Sequence, residues 1–213
     1  MKSPIQSLLT TVVLALLASL AAAQNTLSAA DVSQPEGWAD DLALPLPQDI
    51  NPDPNIFEIE LEAQIKEMEI VPGKLTPVWT YGGTLPGPLI RVKLGDRIIV
   101  HLKNSLPEAT SIHWHGMRLP NAMDGVPGFT QPPLAPGESF TYDYIAEDAG
   151  TFWYHPHINS AAQVGWGMYG ALVVEDPNDP AVFGDELILQ FSDMSLDASG
   201  QFLPANIGTS FGD

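Results

Sequence analysis

Four of the chain's five histidines fall into two His-x-His pairs, His113-Trp114-His115 and His155-Pro156-His157. Side chains in a β-strand alternate between faces, so residues two apart point the same way with Cα atoms roughly 6.6 Å apart. Each pair can therefore turn two imidazoles toward one site, and neighbouring strands carrying the pairs would bring four nitrogen donors together. Such a set suits copper, zinc, nickel or iron. Thiolate chemistry is excluded, because the 213 residues contain no cysteine: there is no disulfide, thiolate metal site or cysteine nucleophile. Trp114 is out of phase with its flanking histidines and is expected to pack into the core. Pro156 lacks an N–H and favours an extended His155, as at an edge or interrupted strand.

The elements that must position these residues read as β-structure. Twenty prolines and eighteen glycines punctuate many short apolar runs, the pattern of an all-β chain with little helix. Strands are expected over 57–65, 77–81, 89–93, 97–103, 110–115, 138–145, 151–154, 170–175 and 186–191. The first alternates cleanly, with Phe57, Ile59, Leu61, Ala63 and Ile65 on one face. Its Glu58, Glu60 and Glu62 read as a solvated outer face, and the isolated His101 as an ordinary strand residue. Short strands at this spacing suggest a β-sandwich with Greek-key connections.

Composition narrows the partners. Eight Lys and Arg against 26 Asp and Glu give a formal charge of −18, which repels nucleic acid and anionic membranes. No glycine-rich phosphate loop, serine nucleophile elbow or basic patch is found. Residues 1–23 read as a secretory signal peptide: Lys2 precedes an apolar run that ends in Ala21-Ala22-Ala23. The run falls short of the ~20 residues a membrane span needs, and no paired arginines precede it. A secreted or periplasmic protein without a membrane span after signal removal is expected. Residues 24–55, acidic and proline-rich, read as an extended arm.

The ordered set Gly83-Thr84-Leu85-Pro86-Gly87-Pro88-Leu89-Ile90-Arg91, Gly95-Asp96, His113-Trp114-His115-Gly116, Asp124-Gly125, Thr151-Phe152-Trp153-Tyr154-His155-Pro156-His157 and Gly170-Ala171-Leu172-Val173-Val174 resembles the first cupredoxin domain of the multicopper oxidases, the family that includes the laccases. The resemblance implies a cupredoxin-like Greek-key β-sandwich over 56–178. It also implies a copper cofactor, with dioxygen and a phenolic or metal-ion reductant as reaction partners. By the same resemblance His113 would ligate a type 2 copper, His115 and His155 one type 3 copper, and His157 the other. Asp124 resembles the family's acid that supports proton delivery, although an Asp-Gly is also a common turn.

The departures matter equally. A complete member takes electrons at a type 1 copper held by a cysteine, and completes its trinuclear cluster with histidines from a C-terminal cupredoxin domain. This chain has neither the cysteine nor enough histidines. Residues 179–213 read as a linker and the opening of a second cupredoxin domain, with Glu186-Leu187-Ile188-Leu189-Gln190-Phe191 as its first strand. The chain is expected to be an N-terminal piece of a larger oxidase and inactive alone. A stand-alone copper-binding or copper-sequestering module is the alternative, with a superoxide dismutase-like sandwich behind it. Near the pairs, Met117 and Met123 read as packing residues. Asn159, Ser160 and Gln163 are placed to hydrogen-bond the outer nitrogens of the ligand rings.

Overall fold

The computed structural model describes residues 43–179 and 186–203. The proposed signal peptide and residues 24–42 of the arm lie outside them. Eight strands form: β1 Ile56–Val71, β2 Lys74–Tyr81, β3 Gly87–Lys93, β4 Arg97–Asn104, β5 His113–His115, β6 Ser139–Ile145, β7 Gly150–His155 and β8 Gly170–Glu175. One short helix, α1 Ser160–Gly165, separates β7 from β8. The strands make two four-stranded sheets, ordered β2-β1-β4-β6 and β3-β8-β7-β5. β1 runs parallel to β4 and β3 parallel to β8; the other neighbours are antiparallel. This is the all-β, cupredoxin-like Greek-key sandwich that the motif order implied.

Period-2 alternation builds the core. Ile59, Leu61 and Ala63 of β1, Ile98, Val100 and Leu102 of β4, and Tyr142 and Tyr144 of β6 supply the first sheet's contribution. The second sheet supplies Ile90, Val92, Trp114, Tyr154, Leu172 and Val174. Burying a side chain of this size stabilises by about 1.5–3 kcal/mol. The opposite face of the first sheet is polar: Arg97 pairs with Asp143, Lys103 lies 3.5 Å from Glu62, and His101 bridges Glu58 and Thr141. Glu58, Glu60, Glu62 and His101 thus do what an outer face does.

Three strand expectations need correction. β1 continues to Val71, and Ile65, expected inside, is 41 % exposed. Its pairing with β4 stops at Ala63↔Asn104, beyond which it pairs with β2 alone as a protruding hairpin closed at Gly73. Of the strand expected over 110–115, only His113–His115 pairs in a ladder; Thr110 makes a single bridge to Leu134. Residues 186–191 form no strand. Among the described residues no strand lies beside them to satisfy their backbone.

That segment lies instead against the outside of the second sheet. Ile188 packs on Leu89, Ala171 and Val173, and Arg91 pairs with both Glu175 and Glu186. The described part of the arm is tied down as well: Leu44 joins the same apolar patch, Leu89 N–H donates to Pro45 O at 2.8 Å, and Ile50 N–H donates to Glu58 O at 2.8 Å. No helix among the described residues is long and apolar enough to cross a membrane.

Candidate metal centre

The centre is built where β5 meets β7 at the edge of the second sheet. Their antiparallel register pairs His113 with His155, Trp114 with Tyr154 and His115 with Trp153. Alternation then divides the two strands by face. Trp114 turns inward, 1 % exposed among Tyr142, Tyr144 and Tyr154, which fits its expected packing role. His113, His115, Trp153 and His155 share the other face. His157 lies just past the end of β7, where Pro156 stops the ladder, and its ring joins the group from there.

All four imidazoles converge. Ring centroids are 4.6 Å apart for His113 and His157, 5.4 Å for His113 and His155, and 5.5 Å for His115 and His155. One ligand nitrogen each from His113, His155 and His157 fall within 4.8 Å of one another. His115 Nδ1 lies 3.2 Å from His155 Nε2, so His115 offers its Nδ1 to the group.

Main-chain carbonyls orient the rings. His113 Nδ1 donates to Asp124 O at 2.8 Å, and His155 Nδ1 to Pro156 O at 3.0 Å. Each bond commits Nδ1 as the protonated nitrogen and leaves Nε2 with its lone pair toward the other rings. The Asp124 carboxylate sits 3.4 Å from His113 Nδ1. The loop holding it approaches closely at Gly125, where φ is 76° and any Cβ would collide with the Ile112 carbonyl. Asp124-Gly125 is therefore a tight turn that also places a carbonyl and a carboxylate beside the first histidine.

Burial favours the neutral form of the second histidine pair. His155, 6 % exposed, has its pKa pushed down to about 4, chiefly by burial and further by His113, His157 and His115. His157 is shifted down for the same first reason. Neutral imidazole is the form that ligates a metal, so a cluster of this kind is a better host for copper than for protons.

Trp153 is a feature that motif reading passed over. Its indole stacks on His155 at 4.0 Å and 22° and lies 5.0 Å from His115. Its position two residues before His155, on the ligand face, was the available signal. Asn159, Ser160 and Gln163 do not reach the outer ring nitrogens as expected. Gln163 and Asn159 bond Glu108, and Gln163 also bonds Thr110 and Ala109. Met117 and Met123 pack against the core, with Met123 Sδ accepting from Asp143 N–H at 3.3 Å.

With this geometry in place, comparison with known proteins assigns the class. The chain belongs to the multicopper oxidase family, whose sequence model matches residues 62–179, and copper is its cofactor. It is 44 % identical over 124 residues to Multicopper oxidase MmcO of Mycobacterium tuberculosis, covering 57 % of this chain and 23 % of that protein. It is 39 % identical over 136 residues to Copper resistance protein A of Pseudomonas syringae pv. tomato, covering 63 % and 22 % respectively. The crystal structure of a multi-copper oxidase from Pseudomonas thermotolerans superposes with a TM-score of 0.67 at 49 % identity, covering 70 % of this chain and 36 % of that one. The chain thus matches under a quarter of the length of these two curated relatives.

Proposed function

We propose that this chain supplies about half the histidine ligands of a trinuclear copper cluster in a secreted or periplasmic multicopper oxidase. The observation that carries the reading is the convergence of four imidazoles from two segments, three of them with ligand nitrogens within 4.8 Å. Bound copper would supply the redox chemistry, reduction of dioxygen to water with electrons taken singly from a phenolic or metal-ion donor.

The chain's own residues would do the rest. His113 would hold the type 2 ion, His115 and His155 one type 3 ion, and His157 the other. The carbonyls of Asp124 and Pro156 keep the rings of His113 and His155 turned inward, and burial keeps His155 unprotonated. The Asp124 carboxylate, 3.4 Å from His113 Nδ1, stands where it can hold a proton for the reduced oxygen. Trp153 shields one side of His115 and His155 from water. The remaining ligands and the cysteine of a type 1 site would come from a C-terminal cupredoxin domain, so the chain alone is expected to be inactive.

A second reading has its own support. The trio His113, His155 and His157 can hold one ion without help, as a copper-sequestering module requires. Titration of the purified chain with Cu(II), followed by electron paramagnetic resonance and tryptophan emission, tests both. Nitrogen-coordinated copper with quenching that is largely lost in Trp153→Phe is expected, together with no oxidation of a phenol. Absence of nitrogen coordination would remove the copper reading, and phenol turnover by this chain would overturn its inactivity alone. The module reading gains if one ion binds tightly and addition of the parent's C-terminal domain restores no oxidase activity.

A further inference from the structure

His157 poses a positioning problem that the β-ladder does not solve. The pairing of β5 with β7 ends at His113↔His155, and Pro156 removes the next backbone donor. His157 is exposed, yet its ring stands 4.6 Å from that of His113 and nearly perpendicular to it, at 83°. Something beyond the sheet must hold this segment against the other.

The structure has such a device on the far side of the turn. Gln163, in α1, is fully buried. Its carbonyl oxygen accepts from Thr110 Oγ1 at 2.8 Å, while its amide nitrogen donates to Glu108 Oε1 at 2.8 Å and to Ala109 O at 2.9 Å. Both amide hydrogens are used. Next to Thr110, the buried Ser111 accepts the His157 N–H on its hydroxyl at 3.2 Å. Asn159 makes the intervening turn in a left-handed conformation, φ 42°, and its carbonyl accepts from Ala162 N–H and Gln163 N–H. Gln163 thus joins the segment following the second histidine pair to the segment preceding the first.

We infer that Gln163 is a positioning residue for the copper site: with Ser111 it sets His157 opposite His113. The inference rests on the copper reading above and deepens it. Gln163 touches neither metal nor ligand ring and acts through the backbone of residues 157–163 and 108–111.

The test uses the full chain, with Cu(II) affinity and nitrogen hyperfine structure as readouts. Gln163→Leu keeps the approximate volume and removes the three bonds. Its affinity for Cu(II) is expected to fall about 10–100-fold, the range seen when partners of metal ligands are removed, and its spectrum to lose the contribution of one nitrogen. His157→Ala is expected to show the same spectral loss, and Gln163→Leu added to His157→Ala to cost nothing more. A general loss of structure would not produce that non-additivity. Wild-type affinity and spectrum in Gln163→Leu would overturn the inference while leaving the copper reading intact, as would a full additional loss in the double variant. Failure of the wild-type chain to show nitrogen-coordinated copper would sink both. Should Gln163→Leu not fold, Ser111→Ala, which removes a single bond to His157, is expected to reproduce the spectral change, and its wild-type behaviour would overturn the inference.

Discussion

His155 ties the chemistry of the site to the stability of the domain. Its ring is buried, and its pKa falls from 6.5 to about 4. Above pH 6.5 the ring is neutral in both folded and unfolded chains and contributes no pH dependence. As pH drops toward 4, the unfolded chain takes up a proton that the folded ring refuses, so stability is lost by about 3 kcal/mol across this interval and no further below it. Urea unfolding of the metal-free chain at a series of pH values should show this decline, and His155→Gln should flatten it. A bound metal competes for the same lone pair, so copper should be held through this interval and released by acid only at about pH 4 or below. The four histidines were legible as a group because the chain has only one other histidine, His101, and it stands alone. The carbonyls of Asp124 and Pro156 were not, since a main-chain acceptor has no letter of its own.

Elements divide into those whose periodicity announces them and those that depend on neighbours. Ile59, Leu61 and Ala63 of β1 and Ile98, Val100 and Leu102 of β4 alternate in the sequence and are buried as the alternation requires. Ile65 obeys the same rhythm yet is 41 % exposed, because the sheet that would cover it has ended. Where a sheet stops is a tertiary fact, and local pattern carries little of it. The loop before Gly125 is similar: Asp-Gly spells a turn, whereas its approach to Ile112 is visible only in three dimensions. Gly125→Ala should therefore destabilise the domain on the order of 3 kcal/mol, through a positive φ and a main-chain collision. It should also weaken Cu(II) binding by displacing the carbonyl that orients His113. Thermal unfolding and copper titration of the variant check both, and an unchanged melting temperature would contradict the reading of that turn.

At the largest scale, the described residues form a sandwich with an apolar appendage. Leu187 and Leu189 are 48 % and 52 % exposed and Phe191 is 88 % exposed, at alternating positions, while Ile188 between them packs on the second sheet. Among the described residues this alternating apolar row pairs with no strand. Exposed apolar residues in such a row favour association with other apolar surface. Replacing Leu187, Leu189 and Phe191 together by Ser should suppress dye binding to exposed apolar surface and self-association in sedimentation experiments. It should shift folding stability by less than about 1 kcal/mol, as for surface changes. A loss much larger than this would mean the row belongs to the first domain's own fold. The formal charge of −18 opposes association at low salt, so the difference should widen as ionic strength rises.

The three residues of β5 divide labour along a single strand. The middle one is committed to the interior and its two neighbours to the outer side. Chemistry at the rim is thereby separated from the packing that holds the sandwich together: substitutions at His113 or His115 should leave the scaffold intact, while one at Trp114 should endanger it. A shelf made in this way can be furnished with different chemistries without being rebuilt.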